Sequence, residues 1–358
     1  MTARRLVGVV LLGILAWLDG GVAAGDPANR HAGAAVERLL GLDVRPVAIA
    51  HRGFGQNLGE DPSRPIENTV TGVLMGFIAG ARVVEVDVQL TRDGEVAAFH
   101  DDVLPDGTCL NQLTLAELQQ RLPHVPALRE ILEVVKRRQP ASGPARGLLI
   151  VELKPAAPRC DPDDTQERAI VGAATRVIRR AGMSRQVLVT SFSPALLFLA
   201  QQHAPDIVRI LAVSGLQFLT AEQVAQVLGA PVLLIDKDLA LGLQWAEIGD
   251  QHRLPGYGSL LELLRIAMLT GARVVETDLA FLSTAGAPAV QALQAHGLEV
   301  FGFTATTPAE WLFLESLGVD GIYTNDVVFG VLHQAPLLLS IPPRPHRTFV
   351  PALSPRTR

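Results

Sequence analysis

Four short runs place ionisable side chains where apolar stretches finish: His51-Arg52-Gly53, Glu85-Val86-Asp87, His100-Asp101 and Glu152-Leu153-Lys154. The apolar stretches are Val47–Ala50, Val83–Val88, Glu95–Phe99 and Leu148–Glu152, each short enough and β-branched enough to be a strand. Residues two apart in a strand share a face, so Glu85 and Asp87 aim together. Carboxylates that converge repel one another unless a cation joins them. Oxygen-only ligation suits a hard divalent ion, Ca²⁺ or Mg²⁺, rather than zinc. A single histidine at a strand end is usually a structural hydrogen-bonder. Two of them, His51 and His100, in register with Glu85, Asp87 and Glu152, point to catalysis.

Such a cluster needs a scaffold that brings several strand ends together. Further strand-like runs occur at Val187–Thr190, Ile207–Leu211, Val274–Thr277, Leu298–Phe303 and Gly321–Tyr323, with helical patterns between most of them. Val70, Val73, Leu74, Phe77 and Ile78 form one apolar stripe at helical spacing. Thr114-Leu115-Ala116-Glu117 and Thr307-Pro308-Ala309-Glu310 read as capping boxes that open helices. This alternation predicts an α/β fold with a parallel sheet covered by helices, and the length favours a (β/α)8 TIM barrel. Catalytic groups gather at the C-terminal ends of barrel strands, where these runs lie. Asp93-Gly94 is a tight-turn signal, so Val83–Val88 and Glu95–Phe99 are expected to form a hairpin. Pro231 to Leu264 is expected to be an insertion.

The motifs resemble those of the glycerophosphodiester phosphodiesterases, a family of PLC-like phosphodiesterase barrels. The resemblance rests on an ordered set: His51-Arg52-Gly53, Ile66-Glu67-Asn68-Thr69, Glu85 through Gly94, His100-Asp101, Val151-Glu152-Leu153-Lys154, Thr190-Ser191-Phe192-Ser193-Pro194, and Gly318 through Asp326. It covers Val47 to Val328. It implies a metal-dependent enzyme that cleaves glycerophosphodiesters to sn-glycerol 3-phosphate and an alcohol. By the same resemblance, His51 and His100 are the acid/base pair, Glu85, Asp87 and Glu152 the metal ligands, and Arg52 and Lys154 phosphate holders. Elementary chemistry agrees: a phosphodiester repels nucleophiles until cationic groups neutralise it, and an alkoxide leaving group needs a proton. Which histidine is acid and which is base stays open at this level, as does the choice between direct attack by water and a cyclic phosphate intermediate.

Other positions carry two readings each. Glu67 and Asn68 either support the active site, or Asn68 or Thr69 simply caps the next helix. Phe192 either lines the substrate pocket or packs in the core. Gly271-Ala272-Arg273-Val274-Val275-Glu276-Thr277-Asp278 nearly repeats Gly80-Ala81-Arg82-Val83-Val84-Glu85-Val86-Asp87. No His-Asp pair follows the second copy, so it is read as a decoy for the metal site, with a polar substrate contact from Glu276 or Asp278 the most it offers. The long loop Phe54–Pro65 is expected to shape the mouth and the alcohol preference. Phe303-Thr304-Ala305-Thr306 keeps an aromatic where many family members have Trp-Thr-Val-Asn, but loses the Asn.

The remaining features bound the setting. The chain has 358 residues, of which 48% are hydrophobic and 19% charged, which excludes a disordered or disulfide-stapled miniprotein. A net charge of -5 offers no basic field for nucleic acid. Arg4, Arg5, the apolar stretch Leu6–Leu18 and the small residues Val22-Ala23-Ala24 read as a signal peptide over residues 1–24, implying export to the periplasm or the extracellular space, with an uncleaved N-terminal anchor as the rival reading. A lead-in over residues 25–45, a barrel domain over 46–335 and a Pro/Arg-rich tail over 336–358 complete the expected organisation, with no membrane span after signal removal. Cys109 and Cys160 fall in loops that neighbour each other on one barrel face, and in an oxidising compartment they are expected to form a disulfide. A small-molecule substrate is expected, with no nucleic acid and no obligate protein partner. The rival readings are a phospholipid or lysophospholipid phosphodiesterase of sphingomyelinase D type, which would need an apolar groove for acyl chains, and a barrel that binds phosphodiesters without turnover.

Overall fold

The computed structural model describes residues 44–137, 147–250 and 252–336. The signal peptide, most of the lead-in and nearly all of the tail lie outside the described residues. Eight strands alternate with helices: β1 (Val47–Ala50), β2 (Val83–Leu90), β3 (Leu148–Leu153), β4 (Val187–Ser191), β5 (Val208–Val213), β6 (Val274–Asp278), β7 (Glu299–Ala305) and β8 (Gly321–Thr324). The helices are α1 (Val70–Ile78), α2 (Leu115–Arg121), α3 (Leu128–Arg137), α4 (Thr165–Arg180), α5 (Pro194–His203), α6 (Ala221–Leu228), α7 (Leu260–Leu269), α8 (Leu279–Ala295), α9 (Pro308–Ser316) and α10 (Val327–His333). All eight strands pair in parallel, in chain order, and β1 pairs with both β2 and β8, which closes the sheet into a TIM barrel.

Strand parity builds the barrel interior. Val47, Ile49, Val83, Leu148, Ile150, Leu188, Val208, Ile210, Val274, Phe301 and Tyr323 form one buried cluster. The alternate residues of the same strands, such as Val84, Val86, Leu149 and Val151, pack outward against helices. Each side chain of this size taken from water contributes roughly 1.5–3 kcal/mol. The parity that buries Val83 inside the barrel also turns Glu85 and Asp87 inward, and that of Leu148 and Ile150 does the same for Glu152. An apolar floor under polar strand ends follows directly from the sequence pattern.

The expected hairpin is present: a short strand, Val96–Ala98, runs antiparallel to β2 and places His100 beside that strand's end. Both expected capping boxes open helices, α2 at Thr114 and α9 at Thr307. The insertion is shorter than expected. A three-stranded antiparallel sheet (Val232–Asp238, Leu243–Ile248 and His252–Pro255) makes no strand pairing with the barrel, while its Leu243 and Trp245 join the buried cluster on the barrel's outer face. The following Leu260–Leu264 instead begins α7, which packs its apolar face on the barrel like the other helices. Val44–Arg45 pairs with Ala335–Pro336, so the start and end of the described chain meet in an antiparallel pair. No helix among the described residues is long and apolar enough to cross a membrane.

Candidate active site

Three carboxylates meet at the C-terminal end of β2 and β3. Register sets them: Asp87 lies opposite Glu152 on the neighbouring strand, and Glu85 lies one inward step below Asp87. One oxygen from each of Glu85, Asp87 and Glu152 falls within 4.8 Å of the others. Asp87 and Glu85 are almost fully buried. Burial, reinforced by Asp87 and Glu152, pushes the Glu85 carboxyl well above the usual carboxylate range. Burial raises Glu152 as well, against the opposing pull of Lys154. Burial also opposes ionisation of Asp87, but His100, Arg52 and Lys154 outweigh it and hold that carboxyl far below its usual range. Three carboxylates that cannot all ionise unaided, with Glu85 Oε1 buried and lacking a hydrogen-bond partner, form an oxygen-only donor set that fits a hard divalent cation.

The turn after β1 supplies the first basic groups. Arg52 is left-handed (φ 50°) and its backbone N–H donates to Glu85 Oε2 at 2.8 Å. Its guanidinium donates to Glu67 Oε1 at 2.8 Å and lies 3.4 Å from Asp87 Oδ2. Asn68, also left-handed (φ 56°), is donor and acceptor at once: Nδ2 donates to Asp87 Oδ2 at 3.0 Å and Oδ1 accepts from the Asp87 N–H at 2.9 Å. The two readings of this motif therefore divide between its residues. Thr69 caps α1 by accepting from the Gly72 N–H, while Glu67 orients Arg52 and Asn68 orients Asp87.

The two histidines are held differently. His51 Nδ1 lies 2.8 Å from Asn325 Oδ1, and that oxygen also accepts from the Gln56 backbone N–H at 2.9 Å. Asn325 Nδ2 donates to Thr306 Oγ1 at 3.1 Å, so the orientation of the amide is set from both sides. An acceptor facing Nδ1 means that Nδ1 carries the proton and Nε2 keeps its lone pair. Burial, with help from the Arg52 cation, lowers His51 to about 4. His100 instead sets Nδ1 2.6 Å from the Asp101 carboxylate and Nε2 3.1 Å from Lys154 Nζ. Lys154 Nζ also lies 3.1 Å from Glu152 Oε1 and 3.9 Å from Asp87 Oδ1. Burial opposes its charge, yet Glu152 and Asp87 raise its pKa. Asn325 and Asp101 were not among the site residues expected from sequence. Asn325 sits in the Thr324-Asn325-Asp326 run already noted, and the signal that it serves His51 is closure of the barrel between β1 and β8.

The remaining expected positions also find places. Phe192, just past β4, meets Phe303 edge-on at 5.9 Å, and both rings are half-buried at the mouth. The loop Phe54–Pro65 folds round the buried Asn57, whose amide donates to the carbonyls of Asp61, Arg64 and Pro65. Arg64 ties the same loop to the Phe54 and Asn325 carbonyls. Cys109 and Cys160 are joined in a disulfide. Glu276 and Asp278, offered as a polar contact to substrate, both have protein partners. Glu276 accepts from Thr190 Oγ1 at 2.6 Å and from the Tyr323 hydroxyl, and burial pushes it up to about 8. Asp278 accepts from Ser214 Oγ, the Gly215 N–H and the Phe281 N–H, capping α8.

With this geometry in hand, the chain can be set against known proteins. The sequence profile of the glycerophosphoryl diester phosphodiesterase family matches residues 51–328, from His51 to the start of α10. The chain belongs to this family. Among curated members, a glycerophosphodiester phosphodiesterase of Bacillus altitudinis is 31% identical over 105 residues, which is 25% of this chain and 40% of that protein. One of Caldanaerobacter subterraneus is 27% identical over 107 residues, 26% of this chain and 41% of its own length. The aligned region thus spans well under half of these relatives. Among solved members of the fold, the Oleispira antarctica phosphodiesterase in complex with the product sn-glycerol-3-phosphate superposes with a TM-score of 0.54 and 22% identity, covering 79% of this chain and 94% of that one. The Thermotoga maritima glycerophosphodiester phosphodiesterase gives 0.52 and 18%, covering 80% and 97%. At these identities the solved structures show the shared barrel.

Proposed function

We propose that this protein hydrolyses glycerophosphodiesters to sn-glycerol 3-phosphate and an alcohol, with His51 as the base and His100 as the acid. The observation that carries the reading is the unlike setting of the two imidazoles on either side of one carboxylate cluster. A neutral amide fixes the His51 tautomer, so Nε2 is ready to accept a proton, and a pKa near 4 keeps it neutral across the ordinary pH range. The Asp101 carboxylate holds His100 at Nδ1, which turns Nε2 toward the cluster. Lys154 Nζ, kept charged by Glu152 and Asp87, donates to His100 Nε2 at 3.1 Å. A phosphate arriving at Lys154 takes over its hydrogen bonds, and the freed Nε2 takes up a proton from solvent and passes it to the leaving oxygen.

Glu85, Asp87 and Glu152 hold one Ca²⁺ or Mg²⁺, which supplies charge neutralisation for the phosphoryl oxygens when bound. Arg52 faces the same side, and Glu67 keeps its guanidinium in place. The Phe192–Phe303 pair offers an apolar edge to the carbon face of the glycerol. The expected leader fits export, with the disulfide in keeping with an oxidising compartment.

The test is to incubate the protein with glycerophosphocholine, glycerophosphoethanolamine and a lysophospholipid, with and without EDTA, and to assay glycerol 3-phosphate. The expected result is release from the two glycerophosphodiesters only, abolished by EDTA, and reduced about 10²–10⁴-fold in His51→Ala and His100→Ala. Full activity in EDTA or in either variant would sink the mechanism. Preferential cleavage of the lysophospholipid would favour the sphingomyelinase D type, and binding without turnover the non-catalytic barrel.

A further inference from the structure

The loop that carries His100 is tied to the loop that carries Lys154 by more than the contact between those two side chains. The first loop leaves the short strand Val96–Ala98 and runs through His100, Asp101 and Asp102 to Asn111. The second leaves β3 at Glu152 and Lys154 and runs to Asp164. Four ties cross between them: the Cys109–Cys160 disulfide, the Asn111 amide donating to the Cys160 carbonyl at 2.9 Å, the Ala157 N–H donating to the Asp102 carboxylate, and Arg159 reaching the Gly107 carbonyl at 3.5 Å. Asp102 stands two residues past His100 and Ala157 three past Lys154, so the crossing begins beside the His100–Lys154 contact.

The second loop is anchored. Asp161 accepts from the Glu167 and Gln166 N–H groups at the start of α4. Arg253 of the inserted sheet, only 5% exposed, donates to the Asp161 carbonyl and to the Asp164 carboxylate, and pairs with Glu247. Asp161, Asp164 and Glu167 also lie close enough to suggest a second cation site. Their oxygens are instead engaged by Arg253, by backbone N–H groups and by Ser193, which makes the group a structural anchor. The first loop is anchored at its far end, where Leu104 and Leu110 are buried and Arg121 donates to Asp106 and Thr108. Near His100 the support from outside the loop is thinner: the Phe99 N–H donates to the Asp87 carbonyl and the Gln89 amide to the His100 carbonyl, both gripping backbone and neither gripping the imidazole.

We propose that the Cys109–Cys160 bridge, with Asp102, is a positioning element for His100: it passes the rigidity of the second loop to the loop bearing the proton donor. This rests on the reading above that His100 protonates the leaving oxygen. A donor displaced by a fraction of an ångström to an ångström delivers its proton poorly while the phosphate is still bound, so the loss falls on kcat rather than KM. It also falls selectively. An alkoxide cannot leave without a proton, whereas 4-nitrophenolate can.

The experiment compares glycerophosphoethanolamine with glycerol 3-(4-nitrophenyl phosphate), using wild type, the Cys109→Ser/Cys160→Ser double variant and His100→Ala. A fourth arm is wild type treated with dithiothreitol, which reduces the bridge to two thiols and is itself oxidised to a cyclic disulfide. Opening the bridge either way is expected to lower kcat on the ethanolamine diester about tenfold or more, against less than about threefold on the nitrophenyl diester, with KM little changed on both. His100→Ala should show the same selectivity on a larger scale. Equal losses on the two substrates, or no loss on either, would overturn the positioning role. If His100→Ala itself treats the two substrates alike, it is the acid assignment that fails. Should the double variant not fold, Asp102→Asn with the bridge intact is expected to show the same selectivity in smaller degree, and its absence there would equally overturn the proposal.

Discussion

Two stretches of this chain are built almost identically: Gly80 to Asp87 leads into β2, and Gly271 to Asp278 leads into β6. In both, the first carboxylate of the pair points into the barrel and the second lies two residues on, within β2 in one copy and at the last residue of β6 in the other. They differ in what surrounds them. Beside Asp87 stands Glu152 in register, and Arg52, Lys154 and Asn68 converge on it. Beside Glu276 stand Thr190 and Tyr323, whose hydroxyls satisfy both its oxygens, and Asp278 is absorbed into the start of α8. One copy is left electrostatically incomplete and the other is closed. A carboxylate pair at a strand end becomes a cation site only when its neighbours leave oxygen atoms unspent.

That contrast can be broken in several places. Asp87→Asn removes a charge that Arg52, Lys154 and His100 all face, and turnover of a glycerophosphodiester should fall by more than about 10²-fold, beyond the loss typical of an outer supporting group. Smaller, but still on turnover, is the support of His51. Asn325→Ala frees the imidazole to rotate or change tautomer, and a loss of about 10–10²-fold is expected in kcat with KM little changed. Gly55→Ala should resemble it. Gly55 is left-handed (φ +88°), and a methyl added there would overlap the Asn325 carbonyl and the Arg64 guanidinium.

On the closed copy the effects move from turnover to stability. Asp278→Ala removes the cap of α8 and should lower stability by about 1 kcal/mol, read in a denaturation curve, with turnover nearly unchanged. Glu276→Gln keeps the shape and removes the titration. Because the folded pKa near 8 lies above the unfolded value, the folded state binds the extra proton between about pH 4.5 and 8, and the Glu276 contribution makes stability fall as pH rises through that window. The variant should show a flatter dependence of Tm on pH over the same range, with turnover the least affected of the five.

Much of this arrangement was legible in the residues. The alternation of Val83, Glu85 and Asp87 announces both an inward apolar floor and an inward carboxylate pair, because the strand period is short and local. His100 beside the end of β2 follows from the Asp93-Gly94 turn. The partners were harder to see. His51 and Asn325 stand 274 positions apart and meet only once β8 closes against β1. Glu276 finds Tyr323 across the barrel in the same way. The insertion was overdrawn because Leu260–Leu269 carries an apolar stripe whose partner, the barrel wall, is invisible in a local window.

The central claim is that the β2 copy, and not its echo on β6, is where the cation binds. Isothermal titration of Ca²⁺ and of Mg²⁺ into EDTA-stripped protein tests it directly, comparing wild type, Asp87→Asn and Glu276→Gln. The account predicts one site in wild type and in Glu276→Gln, and its loss in Asp87→Asn, with hydrolysis of glycerophosphoethanolamine following the same pattern. Binding retained in Asp87→Asn but lost in Glu276→Gln would contradict it.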